Sequence, residues 1–129
     1  MPRYAHSDVL DNGLAYIKTN CNKLALISAY TIGDSYAVVS AAILAEAVMA
    51  PADFTLASSG LDRTLTPASG KSDAAANASG GGANMHIAYL DTLTSKVLLV
   101  TEETSDQAIT VGNPVTFPSP VYTARQPTA

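Results

Sequence analysis

The chain contains no tryptophan, one cysteine and two histidines, and only 14% of its 129 residues are charged. The lone cysteine, Cys21, rules out an internal disulfide and any site built from several thiolates, and its expected place is that of a small buried hydrophobe. The two imidazoles, His6 and His86, have no serine, cysteine or aspartate at a spacing that marks a nucleophile and its base. Seven Lys and Arg stand against eleven Asp and Glu, for a net charge of -4. Scattered cations in an acidic chain cannot neutralise a run of phosphates, so direct contact with nucleic acid is not expected. No apolar run approaches the roughly 20 residues that cross a bilayer as a helix. No apolar core follows Arg3 to make a signal peptide, so no membrane partner is expected and synthesis is assigned to a cytoplasm.

What is present is apolar surface. Hydrophobic residues make up 47% of the chain, more than so few charges can screen on a free monomer, which implies that part of the outside is covered in an assembly. The length fits one domain able to bury roughly two-thirds of its unfolded surface.

The centre of the chain reads as a β-hairpin. Met85-His86-Ile87-Ala88-Tyr89-Leu90 and Lys96-Val97-Leu98-Leu99-Val100-Thr101-Glu102 flank the polar turn Asp91-Thr92-Leu93-Thr94-Ser95. Met85, Ile87 and Tyr89 share one face. On the second arm Val97 and Leu99 fall on one side and Leu98 and Val100 on the other, which predicts a strand deep in a sheet.

Ahead of it, Ser7 or Asp8 can cap a short helix over residues 9–19 with Leu10, Leu14 and Ile17 on one stripe. Gly13 inside that helix costs about 1 kcal/mol relative to Ala. Residues 23–30 read as a strand. Residues 36–50 carry both helical and strand character; a helical turn over 35–41 followed by a strand over 43–49 is the reading adopted. Residues 54–58 and 63–66 form a hairpin around Ser59-Gly60-Leu61-Asp62. Residues 67–83, rich in Gly, Ala and Ser, are expected to be a flexible loop. Pro114, Pro118 and Pro120 confine 115–117 and 121–124 to short or edge strands. Extended ends are expected at 1–6 and 118–129. About six to eight short strands in one domain make a β-sandwich or a small barrel.

Motifs that carry chemistry are fragmentary. Gly70-Lys71-Ser72 matches the tail of a phosphate-binding loop, but Leu65 stands where its first glycine is required. Gly80-Gly81-Gly82 has no helix behind it. Glu102, Glu103 and Asp106 lack the alternating oxygen ligands and sharp glycine of a calcium loop, and read as a solvated turn. The expectation is a protein that is not an enzyme, with no catalytic residue, cofactor or metal.

Three phrases in fixed order then stand out: Val9-Leu10-Asp11-Asn12-Gly13-Leu14-Ala15-Tyr16-Ile17, Pro51-Ala52-Asp53-Phe54-Thr55-Leu56, and Thr101-Glu102-Glu103-Thr104-Ser105-Asp106-Gln107 running on to Gly112-Asn113-Pro114-Val115-Thr116-Phe117. Together they resemble the small capsid cement or decoration proteins of tailed bacteriophages, over nearly the whole chain apart from 67–83. The resemblance implies a mainly β, single-domain antiparallel β-sandwich of jelly-roll type, here with a short N-terminal helix. It implies a dimer on the outer surface of an icosahedral shell, bound to the major capsid protein and bridging neighbouring capsomers. It supplies no catalytic residues. The two ends each pair a tyrosine with an arginine, residue types favoured at interfaces, so Arg3, Tyr4, Tyr122 and Arg125 are the candidate contact residues. Two alternatives are a head-fibre or adhesion module presenting the Gly-rich loop, and a cytoplasmic β-barrel with a ligand-sized apolar cavity.

Overall fold

The computed structural model of the chain describes residues 4, 6–81, 85–102 and 108–126. In chain order it runs α1 (Ser7–Asn20), β1 (Lys23–Ile27), α2 (Tyr36–Ala41), β2 (Ile43–Val48), a single 3-10 turn (Pro51–Asp53), β3 (Phe54–Ser59), β4 (Asp62–Pro67), β5 (Ser72–Asp73), β6 (Gly80–Gly81), β7 (His86–Asp91), β8 (Lys96–Glu102), β9 (Ala108–Ile109), β10 (Val115–Thr116) and β11 (Tyr122–Ala124). Among the described residues the protein is mainly β, every strand pair is antiparallel, and one of the two helices is short.

A four-stranded sheet in the order β2-β1-β7-β8 is the frame. Both faces of its middle strands are buried. Leu24, Leu26, Ile87 and Tyr89 point into the main core with Met85, Leu14, Phe54 and Leu65. Ala25, Ile27, Ala88 and Leu90 point the other way and are closed over by Val39, Tyr30 and Tyr36. The paired alanines, Ala25 opposite Ala88, leave room for α2 and the aromatics to settle on the sheet. Met85, Ile87 and Tyr89 lie in one core, as their spacing predicts.

The mixed signal in 36–50 resolves into both elements. Ser35 caps α2 by accepting a hydrogen bond from the Val38 amide, the helix ends at Ala42, and β2 begins at once. A six-residue helix satisfies the helical propensity without carrying β-branched Ile43 into it.

A second sheet, in the order β11-β4-β3, packs with α1 on the main-core side. The β3–β4 hairpin turns through Gly60 at φ 63°, a left-handed conformation that favours glycine. The helix is fastened to this sheet: Asp11 pairs with Arg63 at 2.7 Å, and Lys18 Nζ donates to the carbonyls of Pro51 and Phe54, each at 2.6 Å. Phe54 and Tyr89, with ring centroids 6.2 Å apart, join the two sheets across the core.

Two expectations are corrected. The second arm of the central hairpin, β8, is not deep in the sheet but forms its edge, and its apolar residues are only half-buried. Nor does it alternate. Tyr89 pairs with Leu99 and Leu90 with Val97, so a bulge leaves Leu98 without a cross-strand partner. Leu98 and Leu99 therefore both turn toward the main core, and Val97 and Val100 toward the other. A strict two-residue period cannot register that extra residue.

Residues 67–81, expected as a flexible loop, are instead laid against the body from Lys71 onward. β5 pairs with β10, β6 pairs with β9, and Ala76 is buried. The small side chains allow backbone to approach backbone, which loop composition alone does not reveal. At the other end, residues 119–126 are extended and docked. β11 pairs with β4, Ser119 Oγ bonds the Pro67 carbonyl, and the Gln126 amide donates to Asp62 at 2.8 Å.

Candidate binding groove

The two edges of the main sheet differ. On β2 one outward-facing backbone group is taken at each of the alternate residues Leu44, Glu46 and Val48. Leu44 O accepts from the amides of Asn77 (2.7 Å) and Ala78 (3.3 Å), and the Glu46 amide donates to Asp73 Oδ2 at 2.9 Å. Val48 O accepts from Lys71 Nζ at 3.1 Å, and Lys71 is held by Asp53 at 2.9 Å. That contact, more than any other, keeps the Asp53 carboxyl below its ordinary pKa. Gly80 rests against Leu44 so closely that a Cβ there would come within 3.0 Å of Leu44 Cδ2.

On β8 the outer edge is open. Among the described residues, β7 is its only strand partner and no backbone hydrogen bond is made to the other side. A groove of about 640 Å³ runs beside it. Leu10, Gly13, Leu14 and Ile17 of α1 form one wall, Val97 to Leu99 of β8 the floor, and Ala124 of β11 adds to the apolar lining. Tyr16, Asp34, Tyr36, Lys96 and Tyr122 supply its polar groups. Gly13 has open space where a Cβ would stand, so the glycine widens the groove at the cost of helix propensity. Lys96 Nζ lies 3.2 Å from Tyr16 Oη and 5.8 Å from that ring's centroid, linking helix to strand.

The turn that launches β8 is rigidly built. Asp91 Oδ1 accepts from the amides of Leu93 (3.0 Å) and Thr94 (3.3 Å), and Oδ2 from the Thr94 hydroxyl (2.7 Å). The Thr94 hydroxyl and then the two amides outweigh burial and hold the Asp91 carboxyl below the usual range. Asn22 clamps the same turn, donating to Thr92 Oγ1 at 2.7 Å and accepting from the Thr92 amide at 3.0 Å. Ser95 completes it at φ 56°.

Of the expected contact residues, Tyr122 lines the groove and is 39% exposed. Arg125 is exposed just beyond β11, and Tyr4 is 65% exposed but does not line the groove. Arg3 lies outside the described residues. Tyr16, 46% exposed on α1, and Tyr36 belong to the groove and were not anticipated. The available signal was the tyrosine two positions after the last leucine of the α1 stripe, together with an unexplained glycine.

The other chemistry-bearing residues stay apart. Cys21 is buried, its thiol donating toward the Lys23 carbonyl, and burial pushes its pKa up to about 11, which keeps it protonated and unreactive at neutral pH. The His86 ring packs 6.1 Å from Tyr30, and its Nδ1 has no partner among the described residues. Lys71, from the phosphate-loop fragment, closes the β2 edge. Glu103 and Asp106 lie outside the described residues, and among those described no three His, Cys, Asp or Glu side chains converge as a metal site. No helix among them is long and apolar enough to cross a membrane. No family model, curated protein or solved structure matches the chain.

Proposed function

We propose that the chain is a structural virion protein that binds the outer surface of an icosahedral phage capsid and cements neighbouring capsomers against internal DNA pressure. It acts as a homodimer rather than a trimer, takes the major capsid protein as its partner, and is made in the host bacterial cytoplasm. It uses no cofactor and performs no catalytic step. The observation that supports this best is the apolar surface left uncovered between α1 and β8, flanked by exposed Tyr16 and Tyr122, in a chain with few charges. Weak contacts of this kind, repeated over a symmetric shell, add up through multivalency. Within the same reading, the four-stranded and three-stranded sheets are the layers of a jelly-roll sandwich, an assignment supported by their shared core.

The test is the particle itself. Virions lacking the protein are expected to release DNA at lower temperature and under milder chelator or osmotic shock than complete virions. Equal resistance would refute the capsid reading.

The groove also favours a second reading, a small-molecule site, because its volume lies within the roughly 300–1,000 Å³ of ligand pockets. Saturable one-site binding of a hydrophobic fluorophore by a monomer would favour it. The adhesion reading gains no support, because residues 71–81 run along the body instead of standing away from it.

A further inference from the structure

We infer that the open edge of β8 pairs antiparallel with β8 of a second copy, joining two four-stranded sheets into one of eight. This deepens the homodimeric part of the proposed function and requires no capsid.

An unpaired strand edge is a template for another strand, and folded chains ordinarily block it with proline, inward charge or covering chain. Here covering chain blocks β2, and among the described residues none covers β8. β8 has seven residues, no proline, and apolar side chains on both faces. The groove beside it is open along the edge and walled on both sides. Leu10, Leu14 and Ile17 stand on the face that Leu98 and Leu99 share, and Tyr36 belongs to the cluster on the face of Val97 and Val100. An added strand must be apolar on both faces to fill such a space, and β8 is apolar on both faces.

Charge selects the orientation and the occupant. The strand begins at Lys96 and ends at Glu102, followed in sequence by Glu103. Antiparallel pairing of two identical strands sets each Lys96 beside the acidic end of its mate, twice per dimer. A parallel pair would set like charges together. The strand is therefore complementary to itself, which is the ground for choosing a second copy over an unrelated extended segment.

The test uses the purified full chain without capsid. Sedimentation velocity across a concentration series is expected to show a monomer–dimer equilibrium. Lys96→Glu should weaken the dimer about tenfold, because it turns two attractive contacts repulsive. Lys96→Gln should fall between, and Lys96→Glu combined with Glu102→Lys and Glu103→Lys should recover most of the loss. Circular dichroism melts report whether each variant is folded. In a Cys21→Ser background, a cysteine replacing Leu99, which pairing of Lys96 with Glu102 sets opposite its own copy, should cross-link the two copies, whereas one replacing Val48 on the blocked edge should not. A chain monomeric at every concentration overturns the inference and the homodimer, and leaves capsid binding to the virion experiment. A dimer indifferent to Lys96→Glu and cross-linked through position 48 also overturns it. Virions that keep their resistance without the protein would refute the capsid reading and leave the edge pairing standing.

Discussion

The two outer strands of the main sheet meet the same physical demand in opposite ways. A β-strand at an edge leaves every second pair of backbone groups without a partner. At β2 the chain returns and engages Leu44 O, Glu46 N and Val48 O with two amides, one carboxylate and one ammonium. Apart from Lys71 and Asn77 the returning segment is built from Gly, Ala, Ser and Asp, which lets it lie close to the strand. At β8 nothing among the described residues returns, and α1 stands off to leave a groove. A sheet with one edge sealed and one bare has a direction in which it can grow. Pairing through β8, as inferred above, would be limited to one partner, with open-ended stacking blocked at β2.

The comparison can be broken or sharpened in order of effect. The largest change comes from the sheet's centre. Ile87→Ala should cost about 2–5 kcal/mol in urea unfolding, as a buried large-to-small change in a close-packed core does. Leu99→Ala at the open edge should cost clearly less, because Leu99 is only half-buried. Equal losses would mean that β8 is as enclosed as β7. Next, Asp73→Ala removes the acceptor of the Glu46 amide and should cost about 1–3 kcal/mol. It should also bare the β2 edge, so that light scattering shows species larger than a dimer.

Acid acts on both edges together. Asp53 supports the seal on β2 through Lys71, and Asp91 holds the turn that launches β8; both carboxyls lie below their ordinary pKa in the folded chain. Their contribution is present in full above the unfolded carboxylate value, about 4. It is lost as pH falls through the lower folded values. Thermal melts should therefore lose stability below about pH 4, and Asp91→Asn should flatten part of that loss. The smallest effect is Gly13→Ala. It should raise helix stability by at most about 1 kcal/mol in thermal melts. The same methyl enters the groove, so dimer affinity should drop while stability rises.

Much of the fold was legible because local signals agreed with one another. The α1 stripe and the two hairpins follow from periodicity, capping and turn residues that point the same way; across residues 36–50 the signals are mixed, and the change from helix to strand at Ala42 matches the reading adopted without following from periodicity. The groove was not legible. Val97 to Val100 carry apolar residues on both faces whether a strand is central or lies at an edge beside a cleft, and only the pairing order separates the two. The Leu98 bulge is invisible to an alternation count. The seal on β2 depends on contacts between residues 27 positions apart or thereabouts, such as Asp73 with Glu46, which composition does not encode. Tyr122 is a candidate from its residue type, and it lines the groove; Tyr16 has only its place beside the α1 stripe as a signal, and Tyr36 reaches the groove through tertiary packing alone.

Amide hydrogen exchange, read residue by residue at low and at high protein concentration, tests the contrast between the edges most directly. The Glu46 amide should be protected at both concentrations, because Asp73 of its own chain holds it. The outward amides of β8, alternating along Lys96–Glu102, should exchange fast when dilute and become protected when concentrated. Fast exchange along β8 at both concentrations would contradict pairing at that edge, and protection at both would contradict its being open.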